Sequence, residues 1–211
     1  MRHLILPIVA LFSFNAFSQM DYKDSNRIGI FGGITSFDLQ TNDFTNKSGI
    51  GWTVGAGIRG NFYNDFDMIY TIGFFESKFS APIAPVAGFP TQETDFKIQG
   101  VQIALMPSYN IVYNHLSIEA GPVFQANSKL GYKKDFENYY MDKLPYTLND
   151  MEKVNSFNFL GAVGFTAGIR ELRASFRYMY GFSNFLGKID QPGANFKSHP
   201  STLVGTLTVF F

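Results

Sequence analysis

The sequence contains no cysteine and little histidine, with three histidines in 211 residues. A lipoprotein needs a lipidated cysteine at its mature N-terminus, and small secreted scaffolds are usually held by disulfides, so both classes are disfavoured. Seventeen basic residues balance seventeen acidic residues. The chain therefore has no net charge that would attract nucleic acid or an acidic partner. No phosphate-binding loop or metal-ligand motif is present, so we expect no cofactor and no metal site.

Long apolar runs are absent after residue 18, which excludes a membrane protein built from spanning helices. The N-terminus is the exception. It begins with Arg2, continues with an apolar stretch over residues 4–17, and reaches the small-residue pattern Ala16-Phe17-Ser18. This pattern is typical of a secretory signal peptide, which we predict over residues 1–18, followed by a short N-terminal segment over residues 19–26.

Aromatic side chains are abundant, at 17% of the residues, and apolar residues recur with a period of two. In one such segment Ile50, Trp52 and Val54 alternate with glycine and threonine. Each apolar set extends over about ten residues, the length with which a tilted strand crosses the hydrocarbon layer. We predict about eight strands, as in small barrels of this kind, over residues 27–37, 49–60, 67–79, 96–109, 115–126, 156–168, 172–184 and 202–211.

The predicted connections alternate between short and long. This alternation indicates an all-β protein: a transmembrane, antiparallel up-and-down β-barrel over residues 27–211, with short periplasmic turns and long extracellular loops. We expect the chain in the outer membrane, in contact with its lipid, with both termini in the periplasm. The rival is a soluble lipocalin-like barrel with the same period. The second face of the strands is rich in glycine, serine and threonine, which fits a narrow filled lumen better than a solvated exterior.

Two stretches of the sequence resemble a known family. The first is VQIALMPSY at 101–109, followed by IEAGP at 118–122; the second is FNFLGA at 157–162, leading through Arg177 and Tyr178 to GFSN at 181–184. They are similar to the PorT-like outer-membrane β-barrel proteins of Gram-negative envelopes. The resemblance implies an outer-membrane barrel, and the named member of that family serves type IX secretion and gliding. It supplies no catalytic motif to transfer to this chain.

The predicted inward face carries a small set of ionic and amide side chains. They are Arg59, Gln102, Glu119, Arg173 and Arg177. Glu119 and Arg177 lie at similar height on strands that flank one with small inward residues, so we predict that the two side chains meet across the lumen. A structural plug of ion pairs is the expected role. The alternative is a proton or solute path, in which the excess of arginine would favour anions.

A catalytic site is not expected. His115 and His199 fall at opposite ends of the predicted barrel, so they cannot form a joint metal or catalytic site. His199 and Ser201 share an outward face near Asp38, which resembles the layout of lipid A deacylases from the outer membrane. Pro200 separates the pair and no nucleophile elbow is present, so a lipid-modifying enzyme remains only an alternative.

Two predicted loops are unusually apolar: the first extends over residues 80–95, with an apolar stretch at 81–90, and the second extends over residues 127–155. Exposed apolar surface often marks a partner contact, and Ile83, Val86 and Phe89 are the candidate contacts. The loops could equally pack on each other over the barrel mouth. We predict a non-enzymatic subunit or accessory of a larger envelope assembly, with a protein partner and without nucleic acid. The alternative is a stand-alone scaffold or surface protein.

Overall fold

The computed structural model describes residues 26–86, 92–141, 144–189 and 197–211. The predicted signal peptide over 1–18 and nearly all of the predicted segment 19–26 lie outside these residues. The described chain has nine strands: β1 Arg27–Thr41, β2 Lys47–Tyr63, β3 Phe66–Ala84, β4 Gln92–Val112, β5 Leu116–Asn127, β6 Tyr140–Met141, β7 Phe157–Gly168, β8 Leu172–Gly181 and β9 Ser198–Phe210. Two 3₁₀ turns, Lys134–Phe136 and Asp150–Glu152, lie between β5 and β7. None of the described helical segments is long and apolar enough to cross a membrane.

Eight of the strands close into an antiparallel ring. Neighbours pair in the order β1, β2, β3, β4, β5, β7, β8 and β9, and β9 pairs back to β1. The predicted eight-stranded up-and-down barrel is therefore confirmed. Closure gives every strand of the ring two neighbours within the barrel, which removes the edges at which open sheets aggregate. The additional strand β6 pairs only with the end of β3, at Ile83 and Ala84.

Connections of two lengths lie at the two ends of the barrel. The turns over 64–65, 113–115 and 169–171 define the short-turn end. The described parts of the connections over 42–46, 85–91, 128–156 and 182–197 define the long-loop end. Asn64 and Asn114 adopt positive φ angles of 48° and 61°, which asparagine tolerates in tight turns.

The apolar face of the strands points outward. Large hydrophobic side chains with more than two fifths of their surface exposed include Ile30, Ile34, Ile50, Trp52, Val54, Ile72, Phe74, Ile103, Val163, Phe165, Leu203 and Leu207. A soluble barrel would bury this face inside, so that alternative is wrong for this chain. Outward aromatic rings pair near both ends, with Phe66 and Tyr109 centroids 5.1 Å apart at the short-turn end and Phe159 and Phe182 centroids 5.8 Å apart toward the other. Such aromatic girdles flank the apolar band of membrane barrels.

The hairpin of β3 and β4 is longer than predicted. Residues 80–95 were expected to form a loop, but the two strands stay paired as far as Ile83 and Gln92. The last residue of β3 that pairs with β2 is Ser80. Pro82 therefore lies on an edge strand, where a proline is tolerated. The first outward positions of β3 after Phe74 are Glu76, Lys78 and Ser80, so this end of the hairpin extends past the apolar band.

Candidate functional site

Arg59 is the centre of a polar cluster in the lumen at the short-turn end. Its Nε donates to Asp67 Oδ2 at 2.7 Å. Its Nη2 donates to the side-chain oxygens of Ser108, Asn110 and Ser117 at 3.1–3.2 Å. Strands β2 to β5 thus converge on one guanidinium, which fixes their relative positions. Sequence reasoning missed Asp67, although the tight hairpin between β2 and β3 places it near Arg59.

Glu119 and Arg177 form the ion pair that the sequence predicts. Arg177 Nε donates to Glu119 Oε1 at 2.5 Å, and the Glu119 side chain is fully buried. Thr166 Oγ1 donates to the second carboxylate oxygen at 3.2 Å and lies 2.7 Å from Ser175 Oγ. The carboxylate therefore has a partner on each oxygen, as a buried charge requires.

Gly164 is the reason that Arg177 can reach Glu119. The three residues are aligned across β5, β7 and β8, with Gly164 in the middle. A Cβ on Gly164 would lie 2.9 Å from Arg177 Cγ and would collide with the carbonyl oxygen of Phe176. The missing side chain thus provides the space that the arginine occupies.

Arg173 and Gln102 do not join these two groups. Arg173 is 1% exposed and donates from Nη2 to Asn114 Oδ1 at 3.3 Å, while its Nε and Nη1 have no hydrogen-bond partner in the described structure. Gln102 accepts a bond of 3.2 Å from Gln125 Nε2. The five predicted lumen residues therefore belong to separate groups rather than to one continuous network.

An apolar layer fills the lumen beside the ionic cluster. It consists of Ile69, Ala104, Met106, Val123, Leu160, Ala162, Met179 and Val204, all buried. Eight-stranded barrels have an interior just wide enough for side chains. The layer therefore separates the polar side chains of the short-turn end from the long-loop end.

The long-loop end is closed by a second buried apolar cluster, here named the cap core. Its members are Phe37, Leu39, Phe44, Phe75, Phe79, Ala81, Ile83, Phe96, Ile98, Leu130, Met141, Leu144, Leu148, Met151, Val154, Phe185, Leu186 and Ile189. Phe79 stacks on Phe96 at 5.0 Å between centroids, and Phe37 lies edge-on to Phe185 at 6.4 Å. Inward side chains of β1, β3 and β4 are thereby joined to the loops after β5 and β8.

Main-chain hydrogen bonds hold the loop over 128–156 in place. Gly131 and Lys97 exchange two bonds of 2.8 Å, which attach the loop to β4. Asn155 N donates to Phe185 O at 2.8 Å, which attaches it to the loop after β8. The loops thus pack on each other over the barrel mouth, one of the two arrangements that the sequence left open. This folded layer of loops and cap core is named the cap below.

The candidate partner residues occupy different environments. Ile83 is 0% exposed, so the expectation that it lies on an exposed loop is wrong: β3 continues through it and directs its side chain into the cap core. Val86 is 60% exposed beyond the end of β3. Phe89 lies outside the described residues. Of the three candidates, Val86 alone is both described and accessible.

His199 and Ser201 do share the outward face of β9, near Asp38 of β1. His199 Nδ1 lies 3.0 Å from the Gly181 carbonyl oxygen, and its ring stacks on Tyr180. Ser201 Oγ accepts a long bond of 3.5 Å from Gln40 Nε2. No hydrogen bond between His199 and Ser201 occurs among the described side chains, so the pair lacks the contact that activates a serine nucleophile.

Metal-ligating side chains are not gathered anywhere in the described part of the chain, where no group of three or more histidine, aspartate or glutamate residues could hold an ion. His115 directly precedes β5 at the short-turn end and its Nδ1 lies 2.9 Å from the Tyr113 carbonyl oxygen. His199 belongs to β9 near the long-loop end. The two histidines are therefore at opposite ends of the barrel, as the sequence predicts.

Comparison with known proteins gives one family. The model of a family described as outer membrane protein beta-barrel domain matches residues 17–187. Comparison with curated proteins gives no match.

Solved structures with a similar fold are outer-membrane proteins. Neisserial surface protein A has a TM-score of 0.52 at 9% identity, over 89% of this chain and 100% of that chain. The attachment invasion locus protein Ail of Yersinia pestis, solved with the heparin analogue sucrose octasulfate, has a TM-score of 0.49 at 11% identity, over 89% and 100%. The outer membrane protein OprG of Pseudomonas aeruginosa has a TM-score of 0.48 at 11% identity, over 89% and 96%. The similarity to Neisserial surface protein A shows a common fold, and fold alone does not assign function.

Proposed function

The chain belongs to the outer membrane protein beta-barrel domain family, and from that premise we propose that it is a non-enzymatic, non-conducting barrel that presents its cap to a protein partner in the cell envelope. The cap core carries this proposal. A loop region packed on buried phenylalanine, leucine and methionine side chains keeps one shape, so little conformational entropy is lost when a partner docks.

The proposal includes an orientation. Short turns of outer-membrane barrels face the periplasm and long loops face outward. We place the short-turn end and both termini in the periplasm, with residues 1–18 as the export signal. The cap then projects from the outer face of the membrane, because β3 and β4 carry polar outward residues such as Glu76 and Lys97 beyond the apolar band.

The segment that follows β3, described as far as Pro85 and Val86 and here named the hairpin tip, is the proposed contact. The exposed salt bridge between Lys47 and Glu93 flanks the hairpin, with both side chains more than half exposed. Val86 lies beyond the last paired residues and follows Pro85, whose ring restricts the backbone. An apolar side chain on a stiffened tip within a charged surface is suited to a small, specific docking contact.

The partner class follows from the resemblance to PorT-like barrels, which suggests a secretion or outer-membrane assembly. A stand-alone scaffold is the alternative within the same fold. The lipid-modifying alternative has less support, because His199 and Ser201 bond to Gly181 and Gln40 rather than to each other.

Co-purification tests the proposal. Wild type, Val86→Asp and Lys188→Ser would be purified from native membranes in mild detergent, and the accompanying proteins identified by mass spectrometry. Lys188 is an exposed residue after β8, which lies opposite β3 in the ring of strands, so it is the matched control. We expect Val86→Asp to lose a protein that wild type and Lys188→Ser retain, with folding unchanged by heat-modifiable gel mobility. Identical protein sets in all three samples would exclude the hairpin tip, and a wild type without companions would favour the solitary barrel.

A further inference from the structure

A small cavity in the lumen is lined by three arginines. Its lining includes Arg59, Arg173 and Arg177, the hydroxyl-bearing Thr206 and Thr208, and the ring of Phe31. The cavity volume is about 20 Å³. A cavity needs roughly 10–15 Å³ to hold one water molecule. The space therefore suits a species slightly larger than water and is too small for a sugar, a phosphate ester or a lipid headgroup.

The arginines around this cavity outnumber the described carboxylates that pair with them. Arg59 is paired with Asp67, and Arg177 is paired with Glu119. Among the described residues, no carboxylate lies within ion-pair distance of Arg173, although 99% of its surface is removed from solvent. Its only described hydrogen bond, to Asn114, leaves Nε and Nη1 without an acceptor. A buried guanidinium with two unused donors is costly unless a negative charge lies next to it.

We propose that this cavity binds one small monovalent anion, chloride in ordinary salt solutions, against Nε and Nη1 of Arg173. A chloride ion would accept hydrogen bonds from Nε and Nη1 and would neutralise the charge of the guanidinium, whereas a water molecule could accept hydrogen bonds but would leave the charge uncompensated. The hydroxyls of Thr206 and Thr208 on β9 line the same cavity and can donate to the ion.

Among the described residues, the cavity adjoins the short-turn end of the lumen. A second cavity of about 10 Å³ opens there, lined by Arg27, Arg59, Gly60, Asn61, Asp67, Tyr113 and Asn114. The two cavities share Arg59, and Asn114 Oδ1 accepts from both Arg27 and Arg173 at 3.1 and 3.3 Å. On the other side the apolar layer with Ile69 and Met106 blocks passage. The feature is therefore a binding site and not an anion channel.

Thermal unfolding in different salts tests the site. Purified wild type would be unfolded in detergent in sodium chloride and in sodium gluconate of equal ionic strength, because gluconate is too large for the cavity. We expect the midpoint to be about 3 °C higher in chloride, with saturation as chloride is raised. Arg173→Met should lose the difference, and Arg170→Met, which removes a charge from the exposed turn between β7 and β8, should keep it.

Equal wild-type midpoints in the two salts, or a chloride effect that persists in Arg173→Met, would overturn the proposal. A second measurement covers the case in which Arg173→Met does not fold. Crystals of wild type grown in bromide would be measured at the bromine absorption edge. An anomalous peak within hydrogen-bond distance of Arg173 supports the anion, and its absence there refutes it.

Discussion

Replacing Glu119 by glutamine should destabilise the barrel strongly, because the ion pair with Arg177 is buried. The carboxylate side chain is fully buried, and the Arg177 side chain is 14% exposed. Glu119→Gln keeps the shape of the side chain but leaves the guanidinium without a countercharge. Breaking a buried pair in this way costs about 3 kcal/mol. For a chain of this size that is a decrease of about 9 °C in the unfolding midpoint, at about 3 °C per kcal/mol.

The pair between Lys47 and Glu93 is the matched control. It has the same N···O distance of 2.5 Å, but its side chains are 67% and 51% exposed. Solvent screening and the loss of side-chain entropy reduce the contribution of such a surface pair to stability to below about 1 kcal/mol. Glu93→Gln should therefore change the midpoint by less than about 3 °C. A comparable loss in the two variants would mean that burial does not set the strength of the lumen pair.

A double-mutant cycle isolates the interaction. Arg177→Met should cost a similar amount, because it leaves Glu119 with Thr166 as its remaining described partner. The double variant should be more stable than the sum of the two losses, with a coupling energy on the order of 1–3 kcal/mol. Unfolding by urea can be followed through the fluorescence of Trp52, the single tryptophan. Additive losses within about 0.5 kcal/mol would refute the reasoning.

Two further predictions concern orientation and permeability. Because the chain has no cysteine, a single introduced cysteine can be labelled selectively. Lys134→Cys in the cap should react with an impermeant maleimide on intact cells, and Arg170→Cys at the short-turn end should react only after the outer membrane is permeabilised. The reverse labelling pattern would mean that the barrel has the opposite orientation. In planar bilayers wild type should show no large, steady conductance, because the apolar layer with Ile69 and Met106 fills the lumen. A reproducible porin-like step would contradict that filling.

The barrel and its ion pair could be predicted from the sequence because both depend on regular local patterns, namely the alternation of side chains along each strand and the tight turns between strands. A period of two assigns each side chain to one face, and tight turns fix the register of neighbouring strands. Glu119 and Arg177 follow from these two rules together with the small residues between them. Register alone does not show which arginine has no carboxylate partner among the described residues, however. That outcome depends on Asp67, which forms an ion pair with Arg59. It also depends on how far each arginine side chain extends across the neighbouring strands.

The cap could not be predicted from the sequence in the same way. Phe75, Phe79 and Ile83 continue one inward parity along β3, but the prolines at 82 and 85 indicate a loop when they are considered alone. An apolar segment of this kind fits a partner contact and an internal core equally well. The buried Leu148 and Met151, far along the chain, decide between the two, and no local pattern predicts that they return to β3 and β4.

The dimensions of the lumen cavity depend on one aromatic ring and two glycines. Phe31 projects inward from β1 and lies over Gly55 of β2 and Gly73 of β3, where a Cβ would come within 2.7 and 2.8 Å of its ring. The glycines leave room for the tip of the ring on that side of the barrel, and the ring in turn occupies space that would otherwise widen the cavity beside Arg173. Close-packed interiors do not relax freely around a changed volume. The size of the anion that the proposed site admits therefore depends on Phe31, and its preference for negative charge depends on Arg173.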